Sequence, residues 1–423
     1  MKILQILEES PSLDFTIPLF EFVDDKKNEI LIFTTKPSYL NWFDHEPKKL
    51  FTNDKSIAFA TSVDTLFFGS LLTRVIKYVC RNNRDNLNNL LSKILRKCIT
   101  YFINNISNPV KYFEIFFNGL PDYVFIDTRN DLDNGKINRG IFKWIDQHSI
   151  KTIGVPVSSY TIEGTKWGPV TPFGKLEENE RPVKSFPLNY EYWMASEQRF
   201  VIEQLGDTPY KSVGYTGVDD KYIELIKNSE NKNTSNSFNI LLNVRHFGSS
   251  RSFGPAAGKY IYEDILNFFI TLKNCMEENN THQFNLIIKP HYYVNFKNFH
   301  KILKRVGIKN YKFIRTSIYQ SLENIDLVIG MHTSVNLISI LYSKPTILYP
   351  QILTKKLMEQ DPKSKNMYTK LNGYCENENE FIEKFNMFLD QKIRLKYSNE
   401  DKNHISKFFE SSSIDKIMAD LNL

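Results

Sequence analysis

The sequence predicts an α/β protein with two domains, each built on a parallel β-sheet with helices on its faces. At 423 residues, the chain is too long for one ordinary hydrophobic core. Short apolar runs alternate with stretches of helical periodicity along both halves, which is typical of parallel strands joined by crossover helices. Several of these runs end in polar loops, as buried strands of such sheets do.

The first domain is predicted over residues 1–215. Its strands are expected at Lys2–Leu7, Asn28–Thr35, Pro121–Asp127, Lys151–Pro156 and within Glu191–Leu205, with a helix at Ile137–Gln147. A basic helical insertion is predicted around residues 71–117, and the stretch from Val157 to Pro187, which is rich in Gly, Pro and charge, is predicted to be a functional or mobile loop.

The second domain is predicted over residues 216–423, with a more regular alternation of strands and helices. Its strands are expected at Ile240–Val244, Phe284–Pro290, Tyr311–Ile314, Asp326–Gly330 and Pro345–Tyr349. Its helices are expected at Lys221–Asn228, Tyr260–Met276, Phe296–Val306, Ile318–Ile325 and Ser334–Tyr342, followed by mostly helical sequence from Phe381 that packs back. A glycine-containing loop is expected over Arg245–Gly258.

Composition excludes several classes of protein. The net charge of +6 is mild, and no basic block interleaves with aromatic residues as in a single-strand nucleic-acid binder, so we expect no nucleic-acid partner. The four cysteines are scattered without a C-x-x-C pair, which argues against a disulfide framework or a zinc site. No run of about 20 apolar residues predicts a membrane span, and the start of the chain does not resemble a signal peptide. We therefore expect a cytoplasmic protein.

The segment from Leu71 to Phe117 places basic residues among apolar and aromatic ones. Its cations are Arg74, Lys77, Arg81, Arg84, Lys93, Arg96 and Lys97. A basic amphipathic helix can lie on an anionic membrane, which would put the protein at the inner membrane face as a peripheral protein. The other interpretation is a solvated helix face over a core, and the sequence leaves both open.

Two strand endings in the second half predict a site for an anionic ligand. One is Lys289-Pro290-His291, and the other is His332-Thr333-Ser334, which also opens a helix. Ligands of open α/β sheets bind at the carboxyl ends of strands, and phosphates bind at helix N-termini. We therefore expect both loops to hold one anionic group between them.

This layout resembles the GT-B fold of glycosyltransferases, in which two Rossmann-like domains face a cleft. Lys289-Pro290-His291 is similar to the "HP" motif of bacterial sialyltransferases, Kdo transferases and CDP-glycerol glycerophosphotransferases. His332-Thr333-Ser334, followed by Lys344-Pro345, is similar to their "S-S/T" motif. Residues 215–219 resemble the turn at the domain junction of surface-polysaccharide transferases and sugar 2-epimerases.

The resemblance implies roles for specific residues. His291 would face the phosphate of a nucleotide-activated donor, and Thr333 and Ser334 would donate hydroxyl and backbone N–H groups to it. The remaining members of the predicted donor-binding set are Arg245, Gly248, Ser249, Lys289 and His332. The resemblance implies no metal and no cofactor besides the nucleotide-sugar cosubstrate. Asp131-Leu132-Asp133 follows a strand in the first half rather than facing the donor loops, so we interpret it as a turn.

Two departures from the family pattern bear on the donor. Tyr292 replaces the second residue of "HP", and Ile338 stands where a glutamate commonly holds the ribose of UDP-sugars. The loss of this glutamate favours CMP- or CDP-linked donors over UDP-sugars. An inverting reaction would also need a base for the acceptor hydroxyl, and Asp127 and Glu163 are the candidates.

The preferred hypothesis is a transferase that moves a sugar from a CMP-linked donor to a cell-surface polysaccharide or glycolipid acceptor. Its partners would be the donor, a glycan or lipid-linked acceptor and an anionic membrane surface. The alternatives are a CDP-glycerol-type polyol-phosphate transferase, a UDP-sugar transferase or 2-epimerase, and an inactive GT-B scaffold of a polysaccharide assembly complex.

Overall fold

A computed structural model describes part of the chain, and its contacts divide the chain into two compact units. The described residues are 1–7, 13–24, 26–34, 51, 57–61, 64–65, 108–127, 136–155, 189–194, 207–229, 237–244, 250–290, 296–314, 317–330, 334–349, 362–408 and 414–423. The first unit comprises Met1–Ser158, Pro182–Gly217 and Ser412–Leu423, and the second comprises Ser159–Arg181 and Val218–Ser411.

Each unit contains a parallel sheet. In the first, the strands are β1 (Lys2–Leu7), β2 (Glu29–Thr34), β3 (Ala58–Thr61), β4 (Tyr123–Asp127), β5 (Lys151–Val155), β6 (Tyr190–Met194) and β7 (Tyr210–Ser212). Their spatial order is β3-β2-β1-β4-β5-β6-β7. In the second, the strands are β8 (Phe238–Val244), β9 (Phe284–Pro290), β10 (Tyr311–Phe313), β11 (Leu327–Gly330) and β12 (Thr346–Leu348), in the order β10-β9-β8-β11-β12.

The helices alternate with the strands. Those of the first unit are α1 (Leu13–Glu21), α2 (Pro109–Phe116) and α3 (Lys136–Gln147). Those of the second are α4 (Asp220–Ser229), α5 (Ser250–Glu278), α6 (Phe296–Val306), α7 (Ile318–Ser321), α8 (Ser334–Leu341), α9 (Pro362–Thr369), α10 (Glu378–Met387) and α11 (Gln391–Ile405). The α/β fold class predicted from the sequence is confirmed.

The strands read as continuous apolar runs because the sheets are covered on both faces. In β8, Ile240 and Leu242 enter one core together with residues of α5, α6 and α10, while Leu241 between them is also fully buried. In the first unit, Val124 and Ile126 of β4 enter one core, and Phe125 between them stacks on Phe20 of α1 at 5.9 Å between ring centroids.

Three short elements of the first unit were not predicted from the sequence, and neither was helix α9 of the second unit. Helix α1 was missed because Pro18 lies inside it and interrupts the helical pattern. Strands β3 and β7 have only four and three residues, too few for a pattern of alternation to be read.

The prediction of a loop over Arg245–Gly258 was wrong for its second part. Helix α5 already begins at Ser250 and therefore includes Gly254, Pro255 and Gly258. Helix propagation adds one hydrogen bond for each residue fixed, so a 29-residue helix extends over a few residues of weak propensity at its start. Residues 245–249 lie outside the described part of the chain.

Part-buried polar contacts hold the segment after β12 together, and one of its side chains also contacts the second sheet. Arg394 of α11 donates to the carbonyl oxygens of Phe388 and Leu389 at 2.9 and 2.8 Å, and its guanidinium lies 4.7 Å from the centroid of the Phe238 ring at the start of β8. The Asp401 carboxylate accepts from the backbone and side-chain N–H groups of Asn372, both at 2.8 Å. Burial nevertheless raises the pKa of Asp401.

The final helix, α12 (Ile414–Leu421), groups with the first unit, whereas the sequence placed it with the second half. Its Ile414, Ile417 and Leu421 are buried, and Asp420 forms an ion pair with Lys211 of β7. The first unit is therefore built from both ends of the chain.

Of the predicted basic insertion, the structure describes only residues 108–117, which contain α2. The cations from Arg74 to Lys97 lie outside the described residues, so the insertion and its membrane contact stay predictions. No helix in the described ranges is long and apolar enough to cross a membrane.

Two glycines give matched tests of the packing. A Cβ at buried Gly373 would lie 1.8 Å from the carbonyl oxygen of Thr346 in β12, so Gly373→Ala forces backbone apart. We expect the free energy of unfolding to fall by about 1–3 kcal/mol, measured by urea denaturation.

Gly140→Ala is the control for that substitution. A Cβ at Gly140 in α3 meets no atom within 4 Å, and alanine favours helix, so we expect a gain of up to about 1 kcal/mol. Equal effects of the two substitutions would contradict the packing described for Gly373.

Candidate functional site at the carboxyl edge of the second sheet

The candidate site follows from the strand order of the second sheet. Strands β9, β8 and β11 are neighbours, and the register pairs Asn243 of β8 with Lys289 on one side and Gly330 on the other. From β8 to β10 the chain adds strands on one side of β8, and with β11 and β12 it adds them on the other side. The strand order therefore reverses between β8 and β11, and open α/β sheets bind ligands at such a reversal point. The residues that follow the three strands are those predicted to bind the donor.

The structure describes two of the predicted donor-binding residues in part. Lys289 is half-buried in β9, one residue before the strand ends. Ser334 is the first residue of α8. The others, Arg245, Gly248, Ser249, His291, His332 and Thr333, lie outside the described residues, so their roles stay predictions.

A buried pair of asparagines joins β8 to the first turn of α8. Asn243 and Asn336 are 3% and 0% exposed, and the Asn243 side-chain N–H donates to Asn336 Oδ1 at 3.0 Å. Asn336 is the third residue of α8, so this bond fixes the N-terminus of the helix against the central strand. Backbone N–H groups at a helix N-terminus point outward and attract anions.

Gly330 makes room for this pair. A Cβ on Gly330 would lie 2.0 Å from Asn336 Oδ1, a distance at which one group must move. Asn336 is fully buried and cannot swing into solvent. The last position of β11 therefore has to lack a side chain for α8 to begin where it does.

The side-chain oxygen of Asn243 has no hydrogen-bond partner in the part of the chain that the structure describes. Its Oδ1 is buried and accepts no hydrogen bond from any described residue. Buried acceptors are nearly always paired, and an exception indicates strain, a missing water or a ligand. This oxygen lies near the end of a strand, beside the reversal point.

Sequence reasoning missed both asparagines. The available signal was a polar residue within an apolar run, since Asn243 follows Ile240-Leu241-Leu242 and Asn336 precedes Leu337-Ile338. Such a residue is as often exposed as buried, and only the tertiary contact distinguishes the two.

The structure resolves two further positions near this edge. Ile338 of α8 is buried, with 2% exposure, so the position that carries a glutamate in the related motif has no hydrogen-bonding group here. Tyr349 follows β12, and its ring packs in the core, with centroid distances of 4.9 Å to Phe268 and 5.2 Å to Phe381, while its hydroxyl donates to Glu378 at 2.8 Å.

The first sheet has its own reversal between β1 and β4. Asp127 is the last residue of β4 and therefore leaves the sheet at this reversal, next to the end of β1. Its side chain and the whole of Glu163 lie outside what the structure describes, so the base remains a prediction. The same holds for the turn at residues 131–133.

The described residues contain neither a reactive thiol nor a cluster of metal ligands. Burial raises the pKa of the Cys275 and Cys375 thiols to about 12, so both stay protonated and unreactive near neutral pH. Within the described ranges, no three His, Cys, Asp or Glu side chains are grouped as metal ligands.

The turn at residues 215–219 connects the two units, whose boundary falls between Gly217 and Val218. Buried Thr216 donates its hydroxyl to the carbonyl oxygen of Phe15 in α1. Asp219 accepts from the backbone N–H of Lys221 at 2.9 Å and so caps α4. The turn thus ends one unit and starts the first helix of the other.

Comparisons with known proteins find similarity to solved structures at the level of the fold. No family model and no curated protein matches the chain. UDP-GlcNAc 2-epimerase from Neisseria meningitidis bound to UDP-GlcNAc is similar over 100% of this chain and 99% of its own, with TM-score 0.52 and 14% identity. The S. aureus MnaA–UDP co-structure is similar over 100% of this chain and 97% of its own, with TM-score 0.52 and 13% identity.

The wall teichoic acid polymerase TagF is similar over 100% of this chain and 87% of its own, with TM-score 0.52 and 10% identity. At these identities the likeness shows the fold, which is that of the two-domain GT-B class.

The asparagine pair gives a test of this site's architecture. Asn336→Leu leaves a buried amide of Asn243 without its acceptor, so we expect the free energy of unfolding to fall by about 1–3 kcal/mol. Adding Asn243→Leu removes the orphaned amide. The loss of unfolding free energy in the double variant should therefore be smaller than the sum of the losses in the two single variants, by at least about 0.5 kcal/mol. Urea unfolding of the four proteins measures this coupling.

The control uses a buried polar pair in the other unit. Thr16 donates to Gln5 Oε1 at 3.0 Å, and Thr16→Val breaks that bond. Its effect should add to that of Asn336→Leu within about 0.5 kcal/mol. Simple additivity of the two asparagine substitutions would refute the coupling.

Proposed function

We propose that the chain is a glycosyltransferase that binds a nucleotide-activated sugar at the carboxyl edge of its second sheet. One observation carries the proposal: three adjacent strands, β9, β8 and β11, end at the reversal point and lead into the three segments with predicted phosphate-binding residues. The fold agrees with this, since the similar structures include proteins solved with UDP-GlcNAc and UDP.

The proposed chemistry follows from where charge develops. An acceptor hydroxyl oxygen forms a bond to the anomeric carbon of the sugar while the bond from that carbon to the donor phosphate oxygen breaks. The departing phosphate gains negative charge, which the N-terminus of α8, Lys289 and the predicted His291 would stabilise. In an inverting reaction, Asp127 or Glu163 would take the hydroxyl proton.

The proposed donor is linked to CMP. Buried Ile338 supports this choice because it stands where the related UDP-sugar enzymes carry a glutamate, which argues against a UDP-sugar donor. A CDP-glycerol-type polyol-phosphate transferase shares the same motifs, and TagF, a wall teichoic acid polymerase, has the same fold. The proposed acceptor is a cell-surface polysaccharide or glycolipid.

A second candidate function is sugar 2-epimerisation. It is favoured by the similarity to UDP-GlcNAc 2-epimerase over nearly the full length of both chains. Ile338 argues against it, since that class uses the missing glutamate. Incubation with UDP-GlcNAc in deuterated water would incorporate deuterium at C2 if the chain were an epimerase and leave C2 protonated if it were a transferase.

The first test is a thermal-shift panel with CMP, CDP, UDP, GDP and ADP. A ligand at a hundred times its dissociation constant stabilises the folded state by about 2.7 kcal/mol, a visible rise in unfolding temperature. We expect a cytidine nucleotide to give this rise and His291→Ala to abolish it.

His282→Gln is the matched control for that panel. His282 precedes β9 and His291 follows it, so the two lie at opposite ends of one strand, and only the carboxyl end is proposed to bind ligand. A response to UDP alone would replace the CMP donor with a UDP-sugar. No response to any nucleotide would favour the inactive scaffold.

A further inference from the structure

A second surface of the second unit carries a concentration of positive charge. From Asn279 to Leu322 the sequence contains eight Lys and Arg residues and no Asp or Glu. The whole chain has a net charge of +6, so the remainder of the chain is net negative, at −2. It is one of two strongly basic stretches of the chain, the other being the predicted insertion around residues 71–117.

The structure places five of these cations on one continuous piece of the fold. They are Lys301, Lys304, Arg305, Lys309 and Lys312, which we call the basic face. The first three lie on α6, Lys309 follows the helix, and Lys312 is in β10, the edge strand of the sheet. All five side chains are exposed, and none forms an ion pair with a described acidic residue.

The apolar side of α6 is already used by the protein's own core. Phe299, Ile302 and Leu303 are buried at 0–1% exposure, so the described exposed positions of the helix present charge rather than large apolar side chains. A partner of this surface would be held by electrostatic attraction alone. Such attraction is sensitive to salt.

We propose that the basic face docks the second unit on an anionic phospholipid surface. An anionic bilayer presents a charged plane, which the outer side of an exposed helix can meet along its length without any pocket or groove. Each Lys or Arg near an anionic bilayer contributes about 1 kcal/mol, which is about fivefold in binding. This inference does not depend on the proposed function or on the predicted insertion around residues 71–117.

Two ordinary roles of such cations can be separated from docking. Lysines on edge strands prevent sheet-to-sheet aggregation, and cations in the last turn of a helix offset its dipole. A glutamate also protects an edge strand, so charge reversal keeps that function. Loss of the dipole effect would lower the unfolding temperature of the variant protein even when no vesicles are present.

The experiment is co-sedimentation of the full chain with two kinds of vesicle, pure phosphatidylcholine and phosphatidylcholine with 30% phosphatidylglycerol, at about 0.1 and 0.5 M NaCl. We expect the wild type to bind the anionic vesicles at low salt and to dissociate at high salt. Reversal of three cations, Lys301→Glu, Lys304→Glu and Arg305→Glu, should lower the partition coefficient at least about a hundredfold.

The control reverses three exposed cations elsewhere in the second unit, Lys392→Glu, Lys396→Glu and Lys407→Glu. It changes net charge equally, so binding within about fivefold of wild type would support a local surface. If the helix variant does not fold, Lys309→Glu with Lys312→Glu gives the same test outside α6, with an expected loss of about twentyfold.

Three outcomes would overturn the proposal. The wild type could fail to bind anionic vesicles, or the α6 variant could bind them as well as wild type does. A third is capture by an immobilised soluble polyanion, such as heparin, with no binding to vesicles, which would assign the surface to a charged polymer instead.

Discussion

The strands of both sheets are buried on two faces, and this constraint decides where polar chemistry can lie. A polar side chain inside such a sheet must find a partner, so most polar groups are moved to the strand ends. Asn243 and Asn336 meet this demand close to the end of β8, and their bond fixes the start of α8. The position of the candidate site thus depends on one buried hydrogen bond and on the glycine that admits it.

The sequence predicted the regular elements well because burial on both faces leaves a simple pattern. Strands β1 and β9 and helix α6 have the predicted bounds, and most other elements differ by one or two residues. The failures have local causes. Pro18 concealed α1, and the Gly and Pro residues around Gly254 concealed the start of α5, where helix propagation outweighs the propensity of single residues.

The candidate site was predictable in part. The alternation of strands and helices placed the loops after β9 and β11 at one edge, but it could not show that β8 lies between these strands. Nor could it show that Asn243 and Asn336 meet, since they are 93 positions apart in the chain. A similar limit applies to charge: a net value of +6 looks unremarkable until the exposed cations of α6 and β10 are seen together.

The grouping of α12 with the first unit has a consequence for the order in which the protein is made. During synthesis, the strands from β1 to β7 emerge long before Ile414, Ile417 and Leu421, which follow about 200 residues later. At roughly 5–20 residues per second, the first unit waits for tens of seconds with the surface for this helix uncovered. The second unit, whose main segment is continuous, can complete its core first, so the part of the protein that begins folding earliest is the last to close.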